Sequence, residues 1–360
     1  MSIESKKQDI KIGIFGVGSG GGNIINNMIE GGIRGCEFYA INTHRQMLNL
    51  SLAPNKILIG LSLTNGLGSG DDPEIGHRAC EESQEELKEI ATGIDLAFVV
   101  ACLGGGTGAG ASPLLAKILK QSGALVAAIV TKPFQHEGEF RMRRALKALA
   151  ELRTHIDARM VLANDSIIEH YGNKFFADAF RSIDNLITEA VKGVIDMINT
   201  PQVVNIDFAD FRSVMTEKGL SVMGVGIGFG ENRAKEAAEE VLKSPFLDSG
   251  NLRDCKKILI NITGDERMTM NEVQIACQTI TDRVSPHTLI RCGYGRDKGL
   301  KEKMKATIVA SGMEERLENY LDFGGIIKDL ENVIPVRRDG KIDRNNIEIP
   351  AFLRLRQRVD

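Results

Sequence analysis

Short, mostly apolar runs recur through the first half of the chain, at residues 10–15, 37–41, 56–60, 96–103, 124–131 and 159–163, each closed by glycine or polar residues. Runs of that length predict strands buried on both faces, as in a parallel sheet. Between them lie stretches with helical spacing at 23–29, 73–90 and 113–121, so strand and helix alternate. That alternation predicts a doubly wound, mostly parallel α/β sheet. A different pattern begins at residue 179. Apolar side chains fall at 180, 183, 186, 187, 190, 191, 194 and 198, a 3.6-residue period that predicts one long buried helix. Further strand-like runs at 222–229, 257–263, 288–292 and 306–310 predict a second, smaller α/β domain joined through that helix.

The expected organisation is an N-terminal tail (1–10), a ligand-binding domain (11–178), a connecting helix (179–201) and a second domain (202–313). From residue 314 the periodicity weakens and charges accumulate, so 314–346 is expected to be a linker. The last stretch, 347–360, is apolar and then basic, too short for a domain. No internal repeat of 20 to 50 residues is evident.

Composition narrows the picture without changing it. With 360 residues, 42% hydrophobic and 26% charged, the chain has enough apolar content for two cores. A net charge of −3 removes any global electrostatic case for nucleic acid. Cysteines stand singly at 36, 80, 102, 255, 277 and 292, which argues against a zinc site or a disulfide framework and for a reduced, cytoplasmic setting. The N-terminal residues lack a signal-peptide pattern, and no run of about 18 apolar residues offers a membrane span.

The candidate chemistry is concentrated in three glycine-rich turns: GVGSGGG at 16–22, NGLGSGDD at 65–72 and GGGTGAG at 104–110. The first and third stand between a strand and a helix. Glycines there let the backbone approach a ligand while the helix N-terminus offers free N–H groups, an arrangement that binds phosphate. None is a Walker A loop, because no Gly-Lys-Ser/Thr follows. Gly16, Gly18 and Gly21 satisfy G-x-G-x-x-G, which raises a dinucleotide enzyme as an alternative. The acid expected at the end of the next strand is missing, replaced by Asn42-Thr43-His44. Glu137 and Arg141 are four apart, fit either for a surface ion pair or for ligand hydroxyls and polar edges. Asn164 and Asp165 end a strand at the edge where α/β sheets bind ligands. Asp207 and Asp210 lie three apart in the loop after the long helix.

Taken together, GVGSGGGN, AINT, GLGSGDDPE, GGGTGAG, TKPFxxEG, AND, NIDFADFRSVM and IPAFLR stand in an order and at spacings that resemble the tubulin/FtsZ superfamily, and within it the bacterial FtsZ branch. The resemblance runs from about residue 11 to 313 and resumes at 347. It implies a GTP-binding first domain and a GTPase-activating second domain. It also implies head-to-tail self-assembly for cell division and assembly-dependent hydrolysis of GTP to GDP, with Mg2+ as the accompanying cation. Residue by residue, it implies that Gly20, Gly21, Gly22 and Asn23, with Gly104, Gly105, Gly106, Thr107, Gly108 and Gly110, cradle the phosphates, and that Gly70 lies near the γ-phosphate. Glu137 would meet the ribose, Arg141 the ligand edge, Asn164 the guanine, and Phe180 would stack on the base. Asp207 and Asp210 would polarise the attacking water in the neighbouring subunit's site, directly or through a cation. The tail residues Ile347, Pro350, Phe352 and Leu353 would dock on membrane-tethering division proteins, placing the protein in the cytoplasm at the division site, on the inner face of the membrane. Two positions depart from the family pattern. His44 replaces an aspartate, here as a neutral polar residue on the rim, and the order Asp184-Asn185 reverses Asn-Asp, which would leave the amide of Asn185 to read guanine. A filament-regulating paralogue with little hydrolysis stays open as an alternative, as does the dinucleotide enzyme.

Overall fold

In the computed structural model, residues 10–313 are described, apart from 167, 169–172, 174, 200–202, 205, 218, 245–246 and 248–251. The expected linker (314–346) and terminal peptide (347–360) lie outside the described residues, as does the expected tail (1–10) apart from its last residue. Each expected strand of the first half is present: β1 (Ile12–Val17), β2 (Glu37–Asn42), β3 (Asn55–Leu58), β4 (Leu96–Cys102), β5 (Leu125–Lys132) and β6 (Ala158–Ala163). They form one six-stranded sheet in the order β3-β2-β1-β4-β5-β6, every pair parallel. The strand order reverses between β1 and β4, and a crevice opens outside the carboxyl ends of strands at such a point.

The helices begin earlier than the sequence pattern suggests. α1 covers Gly18–Glu30, while α2 (Arg45–Asn49) and α3 (Leu61–Thr64) are single turns around β3. The acidic stretch expected as one helix is two, α4 (Pro73–Glu82) and α5 (Gln84–Ala91), broken at Ser83 where ψ is 15°. α6 spans Gly106–Gln121, so most of the third glycine-rich turn is itself the first turns of a helix. The cause is packing. A Cβ on Gly110 would meet the Pro73 carbonyl oxygen at 2.0 Å, and one on Gly76 would meet that of Gly106 at 2.3 Å. Glycine lets α4 and α6 touch backbone to backbone.

α7 (Glu139–Leu152) precedes β6, and α8 (Phe176–Asn199) is the long helix. Its apolar stripe, Ile183, Ile187, Val191, Val194 and Ile195, is buried in one continuous core with Ile14 and Phe98 of the first sheet and with Met223, Val225, Leu259 and Val309 of the second. The helix is hydrophobic toward both sheets because both pack on it. The second sheet has the order β7 (Leu220–Phe229), β10 (Lys303–Met313), β8 (Lys257–Gly264), β9 (Leu289–Arg296). It is mixed, with β10 antiparallel to β7 and β8, and β8 parallel to β9. Buried Lys305 of β10 reaches Asp196 at 3.4 Å and Glu189 at 3.7 Å on α8. α9 (Phe208–Met215), α10 (Arg233–Leu242) and α11 (Met270–Thr281) complete this half, and a second core lies between the sheet's other face and α10 and α11. Among the described residues no helix is long and apolar enough to cross a membrane.

Candidate functional site

A cleft of about 1010 Å³ opens where β1 and β4 end, walled by the starts of α1 and α6, the 65–72 loop, the ends of β5 and β6, and one side of α8. At its floor two helices point their N-termini inward. α1 follows Val17 and α6 follows Gly105, and neither has a side-chain cap. Elsewhere in the molecule the helices starting at Pro73, Phe208 and Met270 are capped by Asp72, Asp207 and Thr269. Uncapped first-turn N–H groups need a partner, and two helix dipoles aimed at one space favour an anion.

The loop over this floor is held in place by hydroxyls and charge. Thr107 Oγ1 shares hydrogen bonds with Thr43 Oγ1 at 2.7 Å and Ser69 Oγ at 3.2 Å. Arg144 Nη1 donates to the backbone oxygen of Asp71 at 2.5 Å and to its carboxylate at 3.1 Å, fixing Asp71, whose φ is +62°, at the cleft edge. His44 caps α2: its Nδ1 accepts from Met47 N at 3.4 Å, while its backbone N–H donates to Asn42 Oδ1. The imidazole thus has a structural task at the rim.

Farther out, Glu137 Oε1 accepts from Phe134 N at 3.0 Å and Oε2 accepts from Arg141 Nη1. Gly138, at φ +95°, separates Glu137 from α7, so the pair meets across a helix start rather than along a helix. Phe180 stands edge-on to Phe134 with ring centroids 6.1 Å apart. Asp184, four residues on and on the same face of α8, accepts from Asn27 Nδ2 at 2.5 Å. Burial raises the Asp184 pKa above the ordinary carboxylate range, and the Asn27 amide partly offsets this. Cys102 lies at the floor, its thiol pushed up by burial.

Of the residues expected from sequence, Gly20, Asn23, Gly70, Gly105, Gly106, Thr107, Gly108, Glu137, Arg141, Asn164 and Phe180 line this cleft. Gly21, Gly22, Gly104 and Gly110 are not among its lining residues. A Cβ on Gly21 would lie 2.3 Å from the Val100 carbonyl oxygen, so it and Gly110 let helices sit close to their neighbours, whereas Gly22 has open space around it. Asn185 is exposed on α8 and outside the lining, whereas Asp184 is inside it. A carboxylate, not an amide, therefore faces the cleft. The i, i+4 spacing from Phe180 to Asp184 carries that signal in the sequence. Asp207 and Asp210 are also outside the lining. Asp207 Oδ1 accepts from Asp210 N at 2.6 Å at the start of α9. Among the described residues no three His, Cys, Asp or Glu side chains are grouped to hold a metal.

Fold and cleft define a nucleotide-binding α/β protein, and the comparisons agree. Residues 11–172 match the family model described as "Tubulin/FtsZ family, GTPase domain", and 219–314 the one described as "FtsZ family, C-terminal domain". The cell division protein FtsZ of Caulobacter vibrioides is 40% identical over 305 residues, 84% of this chain and 60% of that protein. That of Buchnera aphidicola is 36% identical over 95% of this chain and 96% of its own length. Among solved structures, an empty FtsZ dimer from M. jannaschii superposes with a TM-score of 0.79 at 36% identity, covering 89% of this chain and 92% of that one. The chain belongs to the FtsZ family of tubulin-like GTPases.

Proposed function

We propose that this protein binds GTP in the cleft, assembles head to tail with copies of itself, and hydrolyses GTP at the junction between subunits as a cell-division filament protein. The observation that carries this reading is the division of labour along the chain. Phosphate-binding groups converge in one cleft, while Asp207 and Asp210 stand on α9, outside that cleft's lining. A free subunit thus holds nucleotide but lacks the acids, and an adjoining copy supplies them.

The phosphates lie on the N–H groups at the starts of α1 and α6, with Thr107 Oγ1 as a further donor. Glu137 takes the ribose hydroxyls, with Arg141 at the ligand edge. Phe180 stacks on the base, Asn164 meets its carbonyl edge, and the Asp184 carboxylate accepts from guanine N1–H and its amino group. Adenine offers an acceptor at N1, so the same carboxylate rejects it. Mg2+ is commonly held by one or two carboxylates plus substrate oxygens, and here the Ser69 hydroxyl and the Asp71 carboxylate, which Arg144 also holds, would be the protein's donors to a cation that arrives with the triphosphate. When bound it would neutralise phosphate charge. Asp207 and Asp210 of the adjoining subunit orient and polarise the attacking water. The terminal residues Ile347, Pro350, Phe352 and Leu353 dock on membrane-tethering proteins at the division site.

Turnover per subunit, measured from far below to far above the assembly threshold, is expected to rise with concentration. Asp210→Ala is expected to bind GTP like the parent and to lose at least about 100-fold in hydrolysis. Turnover per subunit that stays flat with concentration would overturn the shared site.

A further inference from the structure

The acidic loop is held by more than its own helix. β9 is an edge strand of the second sheet, and Val203 and Val204 pair antiparallel with its Tyr294: Val203 N donates to Tyr294 O at 2.9 Å and Tyr294 N to Val204 O at 3.1 Å. The bridge is an isolated one, and Arg291 stands three residues before Tyr294 on the same strand. Arg291 Nε lies 3.4 Å from Asp210 Oδ1, one helical turn into α9.

Stability gives little reason for a cation there. The Arg291 and Asp210 side chains are 53% and 39% exposed, and pairs that open to water contribute little to folding. A helix N-terminus, moreover, repels positive charge. What the arrangement does accomplish is geometric. Asp207 is fixed as the cap through Asp210 N, and Asp210 is left with its carboxylate facing outward, where a free side chain would sample several rotamers. Arg291 selects one of them and supplies a counter-charge, so that the carboxylate offered to the adjoining subunit's nucleotide is already oriented.

We infer that Arg291 is a positioning residue for Asp210 in the hydrolytic reaction, acting through the β9 edge that carries the acidic loop. The inference rests on the proposed shared site, and the test separates the two. Five proteins are compared at one concentration well above the assembly threshold: the parent, Arg291→Met, Arg291→Lys, Asp210→Ala and Asp210→Ala/Arg291→Met. Arg291→Met keeps the aliphatic stem and removes the charge. It is expected to slow turnover per assembled subunit about fivefold, with GTP affinity, assembly threshold and melting temperature unchanged. Arg291→Lys is expected to recover much of that loss, since it restores the charge without the fork. The double variant is expected to be no slower than Asp210→Ala alone, because a residue acting through Asp210 has nothing left to position. Parent-like turnover in Arg291→Met would overturn the inference, as would a loss that tracks a raised threshold or lowered melting temperature, or a double variant slower than Asp210→Ala. A parent whose turnover ignores concentration would instead overturn the shared site.

Discussion

A carboxylate in the half-buried wall of a cleft costs stability unless donors or charge offset its desolvation, and for Asp184 the single amide of Asn27 offsets it only in part. The Asp184 pKa is raised in the folded protein by burial, so the cost is absent below the ordinary carboxylate range and is complete once pH has risen through the raised value. Asp184→Asn should therefore raise the melting temperature of the nucleotide-free protein at neutral pH, and the gain should fade as pH falls through the raised Asp184 pKa. The same substitution removes the group that accepts from guanine. Displacement titrations with GTP and ATP should show the preference for GTP falling by roughly 100-fold, while exposed Asn185→Asp leaves it as in the parent. Equal selectivity in Asp184→Asn would show that this carboxylate does not read the base.

At the scale of elements, α1 and α6 stand out because their uncapped first turns open into the cleft; α5, α7 and α10 also lack a side-chain cap, so a missing cap alone does not mark the site. α4, α9 and α11 satisfy their first turns with Asp72, Asp207 and Thr269, whereas α1 and α6 leave theirs open to the cleft. Supplying the missing cap should help the fold and harm the site. Gly105 has φ −88° and ψ 166°, which any residue adopts, and a Cβ there would meet nothing nearer than Asp71 Oδ1 at 3.7 Å. Gly105→Asp is expected to keep the melting temperature within a few degrees of the parent, because a cap offsets the added repulsion from Asp71. Its carboxylate would occupy the anion's place, so GDP affinity measured by calorimetry should fall at least about 100-fold. Undiminished affinity would remove the α6 N-terminus from the phosphate site. Gly110 belongs to the scaffold instead, given the 2.0 Å approach of its would-be Cβ to Pro73 O.

For the molecule as a whole, one long helix serves both halves. α8 lends Phe180 and Asp184 to the cleft near its start, buries its apolar stripe against both sheets, and meets Lys305 of the second sheet through Glu189 and Asp196. In sequence the acidic loop follows it. Residues 347–360 lie outside the described residues and outside the matched family models, which end at 314. Deleting them is expected to leave GTP-dependent assembly, followed by light scattering, close to that of the full chain while abolishing recruitment to membrane-bound partners. A truncated protein that still localises to the division site would show that this peptide is not the tether.

The alternation of buried strands with helices, the glycine turns after β1 and β4, and the long helix were all legible along the chain. Each is written in local terms: a period, a run length, a turn that side chains would block. Most of the cleft wall followed from them, because turns after adjacent parallel strands must emerge at one edge. Partnership was not legible. Sequence spacing gives the face of a helix and not what that face meets: the i, i+4 step from Phe180 puts Asp184 on its face, and only the tertiary structure turns that face to the cleft. The close approaches that Gly21 and Gly110 permit, to the carbonyl oxygens of Val100 and Pro73, were likewise not legible in the glycine-rich motifs. The antiparallel insertion of β10 between β7 and β8, the β9 edge that takes up Val203 and Val204, and the Arg291–Asp210 pair each join residues far apart in sequence. Their encounter depends on the order in which strands assemble, which no local pattern records.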